Sequence, residues 1–226
     1  MDVRVFDTPD ALAEAAADAL ADLLRRTPGG FGLAGGSTPR AAYGKLIERD
    51  IPWPDVTCWL PDERWVPPMD PDANARMARR ELTDHVAARF LAPDTTIDDP
   101  HVAASAYEQD LNGEFGGEVG IVLLGIGADG HTASLFPGTD ALGSERAGYV
   151  ANWVPQLGVW RLTATIALLA RARRIMFLVS GASKAATVRR ILVDEEPLPA
   201  RTVADRAPVV TWLLDRGAAS ELSRRG

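Results

Sequence analysis

Residues 120–138 read GIVLLGIGADGHTASLFPG. The first five, Gly120–Leu124, form an apolar run bounded by glycines, the pattern of a strand buried on both faces. Downstream, Arg174–Val179 repeats the pattern and is followed by Gly181 and a predicted helix from Ser183 to Val193, and Val209–Leu214 reads as the last strand. Upstream, Val3–Phe6 reads as a short strand. Thr8-Pro9 then opens a helix with Leu12, Ala16, Leu20 and Leu23 at helical spacing, ending near Arg26–Gly30. Phe31–Ala34 is a predicted strand closed by Gly35-Gly36, and Thr38-Pro39 is read as the cap of a helix through Tyr43 and Leu46. Val56–Leu60 is a strand, and Asn74–Phe90 a predicted helix with Met77, Leu82 and Val86 toward the core. Strands alternating with helices imply right-handed βαβ units, hence a mostly parallel sheet with helices on both faces. No internal repeat or linker divides the chain, so residues 1–226 are expected to form one domain, with 136–156 as its longest loop region.

Composition narrows the function. The 226 residues carry a formal charge of −7, with 46% apolar and 24% charged side chains, the balance of a globular protein. That acidity argues against a general nucleic-acid binder, which needs clustered Lys and Arg. A single cysteine, Cys58, allows no internal disulfide and no CxxC zinc framework. Met1–Asp10 has no apolar signal-peptide core, and the apolar stretch Val119–Ala128 is half the length of a membrane span. A cytoplasmic protein without membrane or nucleic-acid partners is expected. Only Lys45 and Lys184 are lysines among 24 basic residues. A lysine in this arginine-rich chain therefore points to a use for its compact ammonium head.

In open parallel sheets, ligands bind beyond the C-terminal strand ends. Four motifs fall there. Gly35, Gly36, Ser37 and Thr38 offer close backbone approach, hydroxyls and a helix N-terminus suited to an anion, or else a plain glycine turn. Asp62-Glu63-Arg64 reads either as a solvated charged turn or as a carboxylate for a sugar hydroxyl beside a guanidinium for phosphate. Residues 125–130 match G-x-G-x-x-G literally, but Pro137-Gly138 leaves no room for the long helix a dinucleotide site requires. What remains is Asp129-x-His131 at a glycine-rich strand end. A His opening a helical turn there would be held neutral by the helix dipole and suit a general base. Lys184, in the first turn of a helix, opposes the dipole unless an anion joins it.

GGSTP (35–39), DERWVP (62–67), GIGADGHTASLFPG (125–138), RLT (161–163) and SGASK (180–184) occur in the order that resembles the 6-phosphogluconolactonase family. The resemblance covers most of the chain. It implies a three-layer αβα domain with a Rossmann-like sheet, and hydrolysis of 6-phospho-D-glucono-1,5-lactone to 6-phosphogluconate in the oxidative pentose phosphate pathway, without metal or cofactor. His131 would activate water, with Asp129 orienting it. Gly35, Gly36, Ser37 and Thr38 would line the substrate, Arg64 and Lys184 would meet the phosphate, and Asp62 a sugar hydroxyl. Arg161 would be a further phosphate or oxyanion partner. The expected partner is a small sugar phosphate, and the expected assembly a monomer or weak homodimer. Ala73 stands where the family often has Ser, which removes any hydroxyl role at that position. Gly158-Val159-Trp160 replaces the family's Pro-rich approach to Arg161. Two rivals remain. An amino-sugar phosphate deaminase/isomerase would carry an acid after the Gly-His turn, where this chain has Leu135-Phe136-Pro137-Gly138. A non-catalytic sugar-phosphate sensor would not need the Asp129–His131 pair.

Overall fold

A computed structural model describes residues 1–222. The chain runs β1 (Asp2–Phe6), α1 (Pro9–Arg26), β2 (Gly30–Gly32), α2 (Ser37–Leu46), β3 (Thr57–Trp59), β4 (Asp62–Arg64), α3 (Asn74–Ala78), β5 (Arg89–Phe90) and α4 (Pro100–Phe115). It continues with β6 (Ile121–Leu124), β7 (Tyr149–Val154), β8 (Val159–Ala164), α5 (Ile166–Leu169), β9 (Arg174–Val179), α6 (Ala185–Leu192), α7 (Pro199–Arg206) and β10 (Val210–Asp215). Seven strands form a parallel sheet in the order β1-β10-β9-β6-β2-β3-β5. The remaining three, β4-β8-β7, form a small antiparallel sheet.

Alternation along each strand divides the core in two. Ile121, Leu123, Met176, Leu178 and Leu213 turn toward the face covered by α1 and α2. Val122, Leu124, Ile175, Phe177 and Trp212 turn to the other face, toward α4, α6 and α7. Phe177 and Trp212 stack there with ring centroids 4.0 Å apart. The layers are helix, sheet, helix, as the glycine-bounded apolar runs require. From the central β2–β6 pair the chain winds outward in opposite directions, to β3 and β5 on one side and to β9 and β10 on the other. That reversal opens a crevice at the C-terminal ends of β2 and β6.

Several sequence expectations need correction. The predicted helix Asn74–Phe90 breaks after Ala78 into a π turn, Arg79–Thr83. His85 Nε2 donates to the Arg80 carbonyl at 2.8 Å, satisfying an orphan acceptor at the break, and the chain then re-enters the large sheet as β5. Helix α2 begins at Ser37 rather than at a Thr38 cap, because Pro39 needs no N–H partner within the first turn. The predicted loop 136–156 contains all of β7, which with β8 forms a hairpin packed on α4. Asp62-Glu63-Arg64 is a strand of the small sheet rather than a turn. The helix predicted from Ser183 starts as a single 3-10 turn, Ala182–Lys184, before α6.

Candidate active site

The crevice at the strand ends is a cleft of about 240 Å³. Gly35 and Gly36 reach it from the end of β2, Asp62 and Arg64 from the strand after β3, His131 from the loop after β6, and Lys184 from the turn after β9. Three strand ends of the large parallel sheet and one strand of the small antiparallel sheet thus supply one site.

His131 is held by its own loop. Its Nδ1 lies 2.6 Å from Asp129 Oδ1, which also accepts the His131 backbone N–H at 3.1 Å. The Gly127 N–H donates to the His131 carbonyl at 2.8 Å, closing the loop behind the ring. Phe136 covers one face of the imidazole, with centroids 4.0 Å apart. No helical turn starts at His131, so the dipole argument made for it does not apply. The Asp129 contact takes its place: with Nδ1–H donated to the carboxylate, the Nε2 lone pair is left for chemistry. Burial pushes the Asp129 carboxyl upward. The His131 N–H and imidazole outweigh that and leave it below its ordinary value.

Asp62 and Glu63 point to opposite sides, as adjacent strand residues must. Asp62 lines the cleft, accepting from Ser134 Oγ at 2.7 Å and lying beside Asn74 Nδ2. Glu63 is 1% exposed and accepts the backbone N–H groups of Arg64, Asn74 and Ala75 at 2.6–2.7 Å. Burial raises its carboxyl to about 7 against the pull of those three donors. Glu63 therefore caps α3 from outside, which satisfies the N–H groups that a Ser at position 73 could have served.

Asn74, fixed by Glu63, donates through Nδ2 to the Asp62 carbonyl at 2.9 Å and lines the cleft. Its buried Oδ1 has no hydrogen-bond partner and lies against Gly35, where a Cβ would stand 2.1 Å away. Sequence reasoning passed over Asn74, Phe136 and Gly127. The first two carry no signal beyond their neighbours, whereas Gly127 lies in the glycine-rich stretch that matches a dinucleotide fingerprint and carries the family resemblance, neither of which gives it a role.

Lys184 lines the cleft and makes no ion pair among the described residues, whereas Lys45 is paired with Asp10 and Glu14. Its turn is fixed by Asp215, which accepts from Ser180 Oγ at 2.6 Å, from Gly181 N–H at 3.0 Å and from Ala218 N–H at 2.7 Å. Ser37 lines a neighbouring pocket instead, and Thr38 lines neither. Arg161 is directly opposite Arg64 in the β4–β8 register but lines a separate depression with Trp65 and Trp160. Its buried Nε has no partner, and burial followed by the Arg64 charge lowers the guanidinium from its ordinary value. Among the described residues no three His, Cys, Asp or Glu side chains converge in a way that could hold a metal ion, and no helix is long and apolar enough to cross a membrane.

The fold is a doubly wound α/β architecture whose cleft brings a His–Asp pair together with Arg64 and Lys184. The chain belongs to the glucosamine-6-phosphate isomerase/6-phosphogluconolactonase family, whose family model matches residues 7–212. It is 38% identical over 213 residues to a 6-phosphogluconolactonase of Synechocystis, covering 88% of this chain and 87% of that one. Among solved structures it resembles a 6-phosphogluconolactonase from Shewanella baltica, with a TM-score of 0.86, 28% identity, and coverage of 95% and 97% of the two chains. It also resembles a monomeric glucosamine-6-phosphate deaminase, with a TM-score of 0.84, 29% identity, and coverage of 97% and 99%.

Proposed function

We propose that the chain hydrolyses 6-phospho-D-glucono-1,5-lactone to 6-phosphogluconate with His131 as general base. The observation that carries this reading is the 2.6 Å Asp129–His131 contact in a cleft that also holds Arg64 and Lys184, the latter without an ion pair among the described residues. Arg64 and Lys184 bind the phosphate, and Asp62 accepts from a ring hydroxyl. His131 Nε2 removes a proton as the water oxygen bonds to the lactone carbonyl carbon. The negative charge moves to the carbonyl oxygen, next to the Gly35-Gly36 backbone. Collapse of this intermediate breaks the ring C–O bond, and the imidazolium returns the proton to the departing ring oxygen. The new carboxylic acid then ionises and releases a proton to water. Asp129 orients the ring and stabilises its charged form without itself being protonated. A strained lactone is already reactive, so base catalysis of about 10²–10⁴ plus positioning is sufficient.

The same reading takes residues 1–226 as one domain acting in the cytoplasm on a small sugar phosphate, as a monomer or weak homodimer. Fold likeness includes a deaminase, so the reaction has to separate the two. The stretch Leu135-Phe136-Pro137-Gly138, where a deaminase would carry an acid, has none, and its Phe136 packs on His131. The test is proton release from freshly generated lactone above the spontaneous rate. Acceleration by the protein, its collapse in His131→Asn and continued binding of 6-phosphogluconate by that variant are expected. Ammonia released from glucosamine 6-phosphate, with no lactone turnover, would refute the proposal.

A further inference from the structure

A second pocket of about 350 Å³ adjoins the cleft and shares Gly36, Arg64 and Asn74 with it, but neither His131 nor Lys184 lines it. Four arginines from four segments converge there: Arg40 from α2, Arg64 from β4, Arg76 from α3 and Arg80 from the π turn. The acid that pairs with them is Glu81, which binds Arg40 Nε at 2.9 Å and Arg80 Nη2 at 2.7 Å. Four positive charges against that one negative leave a local excess on a chain whose formal charge is −7.

The Arg76 side chain makes no hydrogen bond or ion pair among the described residues. Arg76 and Arg80 are four positions apart, a spacing at which like charges on a regular helix repel. The helix changes to a π turn between them, a distortion that recurs at functional sites. Ser37 adds a hydroxyl and the N-terminus of the ten-residue helix α2, whose Gly36 cap supplies no side-chain acceptor.

We infer that this arginine pocket is an anion subsite for a phosphoryl or diphosphoryl group, separate from the phosphate position beside Lys184. Guanidinium forks match phosphoryl oxygens two at a time, and Arg64, shared by both cavities, places the two anions next to each other. A small phosphorylated anion held here would modulate entry to the cleft through Arg64. The inference does not depend on the lactonase reading, because its readout is binding.

The test is calorimetric titration of the protein with inorganic pyrophosphate at low salt, repeated with Arg76→Gln, Arg80→Gln and Lys184→Ala. All three variants alter residues that are not fully buried, and thermal melting checks that each folds. Wild-type protein is expected to bind, more weakly as salt rises. Arg76→Gln should weaken binding by about tenfold or more, the loss of one charged hydrogen-bonding partner, with Arg80→Gln in the same direction. Lys184→Ala should change binding by less than about threefold. No binding by the wild type overturns the inference. So does a loss in Lys184→Ala as large as that in Arg76→Gln, which would place the anion in the catalytic cleft.

Discussion

The placement of His131 can be tested without touching either member of the His–Asp pair. A methyl group at Gly127 would stand 2.1 Å from His131 Nδ1 and 2.7 Å from Asp129 Oδ1. Ordinary contact begins near 3.4 Å, so in Gly127→Ala the imidazole has to retreat by about 1.3 Å. Gly127 does not adopt a positive φ, and its N–H bond to the His131 carbonyl survives in alanine, so backbone strain adds little. A misplacement of about 1 Å costs on the order of 10²-fold in rate, roughly 2.7 kcal/mol in the barrier. The kcat for lactone hydrolysis, followed as proton release in a pH-stat, should fall by that factor. KM should stay within about twofold, since Arg64 and Lys184 are untouched. Gly113→Ala on α4, where an added methyl meets nothing within 4 Å and which does not line the cleft, is the control and should behave as wild type. A folded Gly127→Ala enzyme with kcat within about threefold of wild type would show that the imidazole need not sit where it does, and the general-base assignment would fail.

The remaining predictions concern the other walls of the cleft and the loops that support them. Lys184→Ala should raise KM while leaving kcat nearly unchanged if the ammonium holds phosphate equally in ground and transition states; a fall in kcat alone would contradict that role. Asp215→Asn keeps the shape but weakens three hydrogen bonds to the turn that presents Lys184, so a loss of about 1–3 kcal/mol of stability and a raised KM are expected from denaturant melts and kinetics. Burial acts to raise the Asp215 carboxyl, but its bonds to Ser180 and the neighbouring N–H groups win and lower it. Its stabilisation is therefore complete above the ordinary value of 3.8 and lost as pH falls through the lower folded value, a dependence that Asp215→Asn should abolish in acid titrations. Glu63 has the opposite sign: raised to about 7, it favours the fold at low pH and withdraws that support as pH climbs from 4.5 through 7, so melting temperatures of Glu63→Gln should be flatter across this window than those of wild type.

The centre of the large sheet could be read from the sequence because β6 and β9 are largely apolar runs with a glycine just beyond them. Ile121–Leu124 and Arg174–Val179 lose their polar partners for the same reason they are central: both faces are covered. The small sheet could not be read that way. Asp62-Glu63-Arg64 has the composition of a solvated turn, and its burial depends on bonds to Asn74, Ala75 and Ser134, up to 72 positions distant. Tyr149–Val154 shows a broken burial pattern because α4 covers only part of one face, so periodicity gave no signal. At the site, the residues with functional groups could be named in advance, whereas those that place them could not. The role of Gly127 depends on how close a ring comes four residues later, and that of Asn74 on a carboxylate that looked like part of a charged surface. The helix expected at His131 failed for a similar reason, since Thr132 and Leu135 pair with each other and close a tight loop instead.

The cleft is assembled across two sheets. His131 and Lys184 follow strands of the large one, whereas Asp62 and Arg64 belong to the small one. The polar links between the two halves include Ser134, whose hydroxyl donates to Asp62, whose N–H donates to Thr163 and whose carbonyl accepts from Asn152. Substrate binding in such a cleft joins the two sheets like a clasp, and a bound sugar phosphate would brace the small sheet from outside. Amide hydrogen exchange should then slow in residues 149–164 on addition of 6-phosphogluconate, while the central strands, already protected on both faces, hardly respond.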